Sequence, residues 1–310
     1  MLRSLMVPLD GSGFSEYSLP LAGKVARLTG ASLHLAHVHT PYEPDQLLFT
    51  TPFQFEHANM AEYDARHRDG EEQYMSVIAD RLSREGASVD TKILDGGEVV
   101  DELIDYADRV ATDMILMTSH GRSGLRRSWL GGVADAMIRR TNVPIIVMHP
   151  SAALTVPDLG RSIRHIVVAL DGSQLAESIL GPASDVARAT GAHMTLARIV
   201  PPTESFGEAS AVTGAGYADP EMREALTYLD DVAVSLRNED DGLDVATEVR
   251  AGASPAATLA QMADQLFADL VAIATHGRGG IKRALLGSVA EQLLRSASVP
   301  ILVMRPSPAA

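Results

Sequence analysis

Met114-Ile115-Leu116-Met117-Thr118-Ser119-His120-Gly121-Arg122-Ser123-Gly124 is written twice in this chain, and its second copy is Leu270-Val271-Ala272-Ile273-Ala274-Thr275-His276-Gly277-Arg278-Gly279-Gly280. Each copy is a short apolar run that passes through small polar residues and glycines and leads into a segment of helical pattern. That order is strand, glycine loop, helix. Glycine lets backbone N–H groups approach a ligand without a Cβ in the way, and a helix start adds unpaired N–H groups and the positive end of its dipole. Such a loop suits an anion. Arg122, Arg126 and Arg127 follow in the first copy and Arg278, Lys282 and Arg283 in the second, within a chain of formal net charge -14. A local basic cluster on an acidic protein points to phosphate rather than to a polyanion such as DNA.

Outward from these loops the rest of the chain repeats as well. Leu5 to Leu9 reads as a strand ending at Asp10-Gly11-Ser12, and a helix follows through Val25 and Ala26 to Thr29-Gly30. The same grammar returns as Ile166 to Leu170, Asp171-Gly172-Ser173, and a helix through Val186 and Ala187 to Thr190-Gly191. Glycine just past a helix is the usual left-handed cap. Second strands are expected over Ser32–Val38 and His193–Ile199, each opening into a proline-containing loop, about 40–59 and 201–220. Met222, Leu226, Leu229, Ala233 and Leu236 then step by three and four on one helical face. Third strands follow at Ser88–Leu94 and Asp244–Arg250, with Ser254 before Pro255 as the expected cap of the next helix. Last strands lie at Val143–Met148 and Val299–Met304. Each half therefore reads β-α-β-α-β-α-β-α-β, and its continuous apolar strands imply a doubly wound parallel five-stranded sheet with helices on both faces. The fold class is α/β, as a tandem repeat of a Rossmann-type domain: residues 1–150, a linker over 151–163, and residues 164–310.

Composition narrows the function. With 310 residues, 46% hydrophobic and 21% charged, the chain supports two ordinary globular cores. Its acidic balance argues against nucleic acid and against anionic membranes. The absence of cysteine removes disulfides, thiolate catalysis and zinc–thiolate sites. No apolar run approaches the roughly 20 residues of a membrane span, and the N-terminus reads as a first strand, so a cytoplasmic protein is expected.

In an open parallel sheet, ligands bind beyond the carboxyl ends of the strands, where the strand order reverses. Asp10 and Asp171 sit at the end of strand one, Val38 and Ile199 at the end of strand two, and the glycine loops at the end of strand four. A carboxylate for ribose or amino groups, an apolar residue beside free backbone for a flat base, and a glycine loop for phosphates together fit ATP.

The spacing Gly-x-x-Gly, nine residues, then Gly followed by Ser or Thr resembles the nucleotide signature of ATP-binding universal stress proteins. Here the second copy has Ala274-x-x-Gly277, nine residues, Gly287-Ser288, and the first has Thr118-x-x-Gly121, nine residues, Gly131-Gly132. The resemblance covers both halves and implies strand order 3-2-1-4-5 in each, with the halves paired through their last strands as single-domain members pair in dimers. It also implies that Asp171 and Ile199 hold adenosine, with Ala274, Gly277, Arg278, Gly287, Ser288 and Val289 at the phosphates. Their first-half counterparts are Asp10, Val38, Thr118, Gly121, Arg122, Gly131, Gly132 and Val133. Both copies replace the first glycine, and Gly132 lacks the hydroxyl that Ser288 keeps. Mg2+ would ride on the phosphates rather than in a protein cage.

Other residues invite blander readings. Asp10 and Asp171 also suit the turn into helix one through the following Gly-Ser. His120 and His276 have no nearby nucleophile or orienting carboxylate in the sequence. His37 and His39 share a strand face, but the repeat has Arg198 and Val200 there, so solvent-facing or loosely packed histidines are expected rather than a metal site. Trp129, where the repeat has Leu285, suggests packing against the neighbouring half. Gly23-Lys24 is followed by Val25 inside helix one and is no P-loop. The expected role is an ATP-binding stress or signalling protein whose shape or partner affinity follows nucleotide occupancy. A slow ATPase or phosphotransferase, and an interaction module of the same fold that binds no nucleotide, are the alternatives. The protein partner, and whether the tandem chain stays single or pairs into a homodimer, are open from sequence.

Overall fold

The computed structural model describes residues 1–41, 60–119, 130–149, 163–202, 219–275 and 286–306. The first half contributes strands β1 (Ser4–Leu9), β2 (Ser32–His39), β3 (Ser88–Asp95), β4 (Met114–Thr118) and β5 (Ile145–Met148). Between them run helices α1 (Leu19–Thr29), α2 (Met60–Arg84), α3 (Val99–Arg109) and α4 (Gly132–Arg140). The second half repeats the plan with β6 (His165–Ala169), α5 (Leu180–Thr190), β7 (His193–Val200), α6 (Pro220–Glu239), β8 (Val245–Ala251), α7 (Pro255–Gln265), β9 (Leu270–Ala274), α8 (Ser288–Ser296) and β10 (Ile301–Met304). Residues 151–162, which include most of the expected linker, lie outside the described set, as do Trp129, His120 and His276.

Helix ends follow the sequence signals. Gly30 and Gly191 take φ of 71° and 68°, and each N–H closes the last turn onto the carbonyl of Ala26 or Ala187. A side chain there would meet the left-handed backbone penalty that glycine avoids. Ser254 sits at the N-cap of α7 with Pro255 next, but its hydroxyl makes no capping bond; instead its carbonyl accepts from the Thr258 hydroxyl at 3.0 Å. On α6 the buried positions are Met222, Ala225, Leu229, Ala233 and Leu236, with Leu226 only half-buried, so the face is one residue off the expected register at that turn.

The strand order is β3-β2-β1-β4-β5-β10-β9-β6-β7-β8, a single ten-stranded sheet. Each half keeps the order 3-2-1-4-5, but the halves do not form two separate sheets. β5 and β10 pair antiparallel, with Ile146 opposite Leu302, and every other neighbour is parallel. The physical reason lies in the last strands, which are apolar and would leave unpaired N–H and C=O groups at a sheet edge. Two like edges meeting about a twofold satisfy each other. Flanking bonds repeat that symmetry: the His149 imidazole Nε2 donates to the Leu294 carbonyl at 2.6 Å, and Arg305 donates to the Arg139 carbonyl at 2.6 Å.

Two hydrophobic cores result, but the sheet face divides them rather than the domain boundary. One face carries α1, α2, α5 and α6 and buries Leu5, Leu33, Met114, Ile146, Leu302, Leu270, Ile166 and Met194. The opposite face carries α3, α4, α7 and α8 over Met6, Ile115, Ile145, Val303, Val271 and Val167. Alternate residues of one strand serve opposite cores, which is why the strands read as unbroken apolar runs. No helix among the described residues is long and apolar enough to cross a membrane.

Candidate functional site

Above the carboxyl ends of β1, β2 and β4 the first half encloses a cavity of about 310 Å3. Strand order puts it there: β1 leaves toward β2 on one side and β4 on the other, so the connections diverge and open a crevice. Its lining includes Asp10 from the end of β1, Val38 from β2, Thr118 from β4, and Gly131, Gly132 and Val133 from the start of α4. Gly121 and Arg122 lie outside the described residues. Ser15, His37, Thr40, Val99, Leu103, Met117 and Ser119, which line the same space, were not among the site residues expected from sequence. Met117 and Ser119 flank Thr118 at a strand end, so topology alone was signal enough for them. Val99 and Leu103 are one turn apart on α3, a helix whose cavity face could be found only from three-dimensional packing.

The strand-one carboxylates hold the local turn. Asp10 Oδ1 accepts from the Ser12 N–H at 3.0 Å and the Ser12 hydroxyl at 2.6 Å. Asp171 Oδ1 does the same with Ser173 at 2.9 and 2.6 Å. Each carboxylate is thereby fixed in orientation at the crevice end of its strand while using one oxygen on the turn.

The phosphate-side loops close by matched bonds. Ser119 N–H donates to the Met148 carbonyl and Thr275 N–H to the Met304 carbonyl, both at 2.8 Å. The Gly131 N–H returns to the Ser119 carbonyl at 2.5 Å, and the Gly287 N–H to the Thr275 carbonyl at 2.7 Å. Gly131 and Gly287 are the N-caps of α4 and α8 with extended backbone, and neither helix has a side-chain cap. The N–H groups of the first turn, from Gly132 and Val133 or from Ser288 and Val289, therefore have no intrahelical acceptor and sit at the positive helix end. A Cβ on Gly132 would meet nothing within 4 Å among the described residues. In the second half Ile199 packs half-buried on the core and Ala274 is buried at the end of β9, while Gly277 and Arg278 are outside the described residues.

Beside the cavity the histidines of β2 overturn the expectation of solvent-facing or loosely packed side chains. His37 and His39 are 3% and 4% exposed and meet a buried carboxylate, Glu71 of α2. His37 Nδ1 donates to the Leu9 carbonyl at 2.8 Å, and its Nε2 stands 3.0 Å from Glu71 Oε1. His39 Nδ1 is 2.7 Å from Glu71 Oε2 and its Nε2 3.2 Å from Asp64 Oδ1. His67 Nδ1 lies 3.2 Å from Glu71 Oε1, its ring tilted 45° to that of His39. Burial opposes the charged form of His39 more than any other single influence, but the bonds and charges of Glu71 and Asp64 together outweigh it and raise its pKa. Asp95, the β3 neighbour of His39, is turned away onto Arg68, whose hydrogen bond holds its carboxyl below the usual range. The missed signal was the helix: Asp64, His67 and Glu71 step by three and four and so share a face that can meet alternate β2 residues.

The family model for the universal stress protein family matches residues 1–149 and 162–305. This chain belongs to the universal stress protein family. A universal stress protein of Mycolicibacterium smegmatis is 27% identical over 309 residues, covering 97% of each chain. One from Mycobacterium bovis is 27% identical over 244 residues, 76% of this chain and 78% of its own. Among solved structures, a universal stress protein from Archaeoglobus fulgidus aligns with TM-score 0.69 and 17% identity over 98% of both chains, a likeness of fold. The tandem arrangement is thus shared with full-length relatives of the family.

Proposed function

We propose that this tandem universal stress protein binds ATP in the first-half cavity and in its second-half counterpart, with Mg2+ carried by the phosphates. One observation carries the reading: Asp10, Val38, Thr118 and the Gly131-Gly132-Val133 helix start, four groups from separate elements of the chain, line one cavity of about 310 Å3. That volume is at the lower end of the roughly 300–1,000 Å3 of small-ligand sites. Asp10 would take ribose hydroxyls, Val38 would pack on the base, and the α4 start would face the phosphates. Asp171, Ile199, Ser288 and Val289 would do the same in the second half, with the Ser288 hydroxyl as an added phosphate donor. Occupancy would tie together the ends of β1, β2 and β4, and so change the surface offered to a partner. The reading needs no catalytic group.

Titration calorimetry with ATP and magnesium on nucleotide-stripped protein tests this. Asp10→Ala is expected to weaken the first-half site about tenfold or more, the worth of a hydrogen bond to a charged group. Asp171→Ala should act alike in the second half. If both variants bind ATP as the parent does, the proposed crevice is wrong.

A further inference from the structure

We infer that His39, His67 and Glu71 form a binding site for one divalent transition-metal ion of the zinc class, separate from any magnesium that travels with a nucleotide. One ligand atom from each of the three lies within 4.8 Å of the other two. They are the one such group among the described residues. Two imidazoles and a carboxylate are a borderline-soft nitrogen and oxygen set, which suits zinc and its first-row neighbours and is a poor match for magnesium or calcium.

The hydrogen-bond inventory around Glu71 calls for positive charge. A neutral imidazole has one N–H and one lone pair. Both nitrogens of His37 face acceptors, the Leu9 carbonyl and Glu71, and both nitrogens of His39 face carboxylates, Glu71 and Asp64. His39, whose two nitrogens both face carboxylates, must carry an extra proton, accept a hydrogen bond from a protonated carboxyl, or give its lone pair to a cation. A divalent ion on His39 Nδ1 meets that demand without an imidazolium at His39, while His37, which is not a ligand, keeps its own contacts to Leu9 and Glu71.

The partner of the outer His39 nitrogen is already in place for the metal. With His39 Nδ1 on the ion, its Nε2–H donates to Asp64 at 3.2 Å, the carboxylate–histidine–metal pattern that fixes tautomer and ring orientation. His39 Nδ1 lies 2.7 Å from Glu71 Oε2 and His67 Nδ1 3.2 Å from Glu71 Oε1, and with all ligand atoms within 4.8 Å of one another a modest side-chain adjustment reaches the separation of about 3.3 Å that bonds of about 2.0–2.1 Å in a tetrahedron require. The His67 and Asp64 side chains are 32% and 38% exposed, which gives the ion a path from solvent to the buried His39 and Glu71. A fourth position is left on that side for water.

The second half shows that the fold has no need of this cluster. Val200 stands in the place of His39, and Ala225 matches Glu71 by the shared spacing of Glu71-Met75-Ile78-Leu82 and Ala225-Leu229-Val232-Leu236. Val200, Met222 and Ala225 form a small apolar cluster there.

The test is a zinc chloride titration of full-length, chelator-stripped, nucleotide-free protein, followed by metal analysis after gel filtration and by the visible spectrum of the cobalt(II) form. The expected result is one saturable equivalent per chain, a rise in Tm on loading, and a cobalt spectrum of low coordination number. His67→Ala, on the outer face of α2, should lose more affinity than the roughly 10–100-fold expected for Asp64→Asn, which acts on the ion only through its bond to His39. The pair His39→Val with Glu71→Ala copies the second half's own packing and should remove the site from a folded protein. His193→Ala, beside the exposed Asp244, should bind zinc as the parent does. No saturable one-equivalent binding at micromolar free zinc, or unchanged binding in both His67→Ala and the paired variant, overturns the inference. ATP binding is measured separately, so its failure would leave this result standing.

Discussion

The two halves solve the same packing problem differently where the second strand meets the long helix. In the first half His37 and His39 bury their rings against Glu71, with His67 and Asp64 closing the outer side. In the second half Val200, Met222 and Ala225 pack as hydrocarbon, and Arg198, the counterpart of His37, lies 5.4 Å over the ring of Tyr228. The rest of the repeat is kept closely, down to the Asp-to-Ser turn bonds and the matched loop closures. An apolar solution is therefore available to this fold, and a buried polar cluster is the costlier one, since each buried donor and acceptor needs a partner. The comparison teaches that the polar cluster is a feature of the first half and not of the architecture.

Variants that exchange the two solutions should break this contrast most strongly. Ala225→Glu places a carboxylate at a fully buried position where Val200 and Met222 offer it no hydrogen bond and Arg198, in the place of His37, is already engaged over Tyr228; we expect a loss of about 3 kcal/mol in urea unfolding. Glu71→Ala in metal-free protein deprives three imidazoles of their shared partner and should cost about 2–3 kcal/mol; adding His39→Val should recover at least about 1 kcal/mol of it, a coupling a double-mutant cycle will register. The smallest of these effects is expected from Tyr228→Phe, which removes the 2.8 Å bond to Glu177 but leaves the ring under Arg198, for a loss of about 1.5 kcal/mol. A Tyr228→Phe loss equal to that of Ala225→Glu would show that the second half relies on polar bonds after all.

Much of the fold was legible because its signals are local. Gly30 and Gly191 mark helix ends, strands written as unbroken apolar runs announce burial on both faces, and the repeat itself doubles every inference. The fusion into one sheet was legible only through the resemblance to paired single-domain relatives, since nothing in Ile145–Met148 or Ile301–Met304 alone distinguishes a covered edge from an open one. What was not legible is that each face's core runs on across both halves, because that continuity depends on the pairing of β5 with β10. At the cavity, Asp10, Val38 and the α4 start follow from topology, whereas Val99 and Leu103 arrive from a helix whose rotation no motif records. The histidine cluster was read wrongly for a definite reason. The repeat's Arg198 and Val200 argue against a shared metal site for both copies, but divergence between the copies is itself the signal, and the partner carboxylate Glu71 lies some 30 residues away on α2.

The most direct test of the central claim is native mass spectrometry of the stripped full-length chain with ATP and magnesium, alongside Gly132→Ser. The account predicts up to two nucleotides per chain, the second-half site filling first because Ser288 supplies a hydroxyl that Gly132 lacks. Gly132→Ser, whose new side chain enters open space, should bring the first-half site up toward the second. A folded protein that takes up no adenine nucleotide, in parent and variant alike, would contradict it.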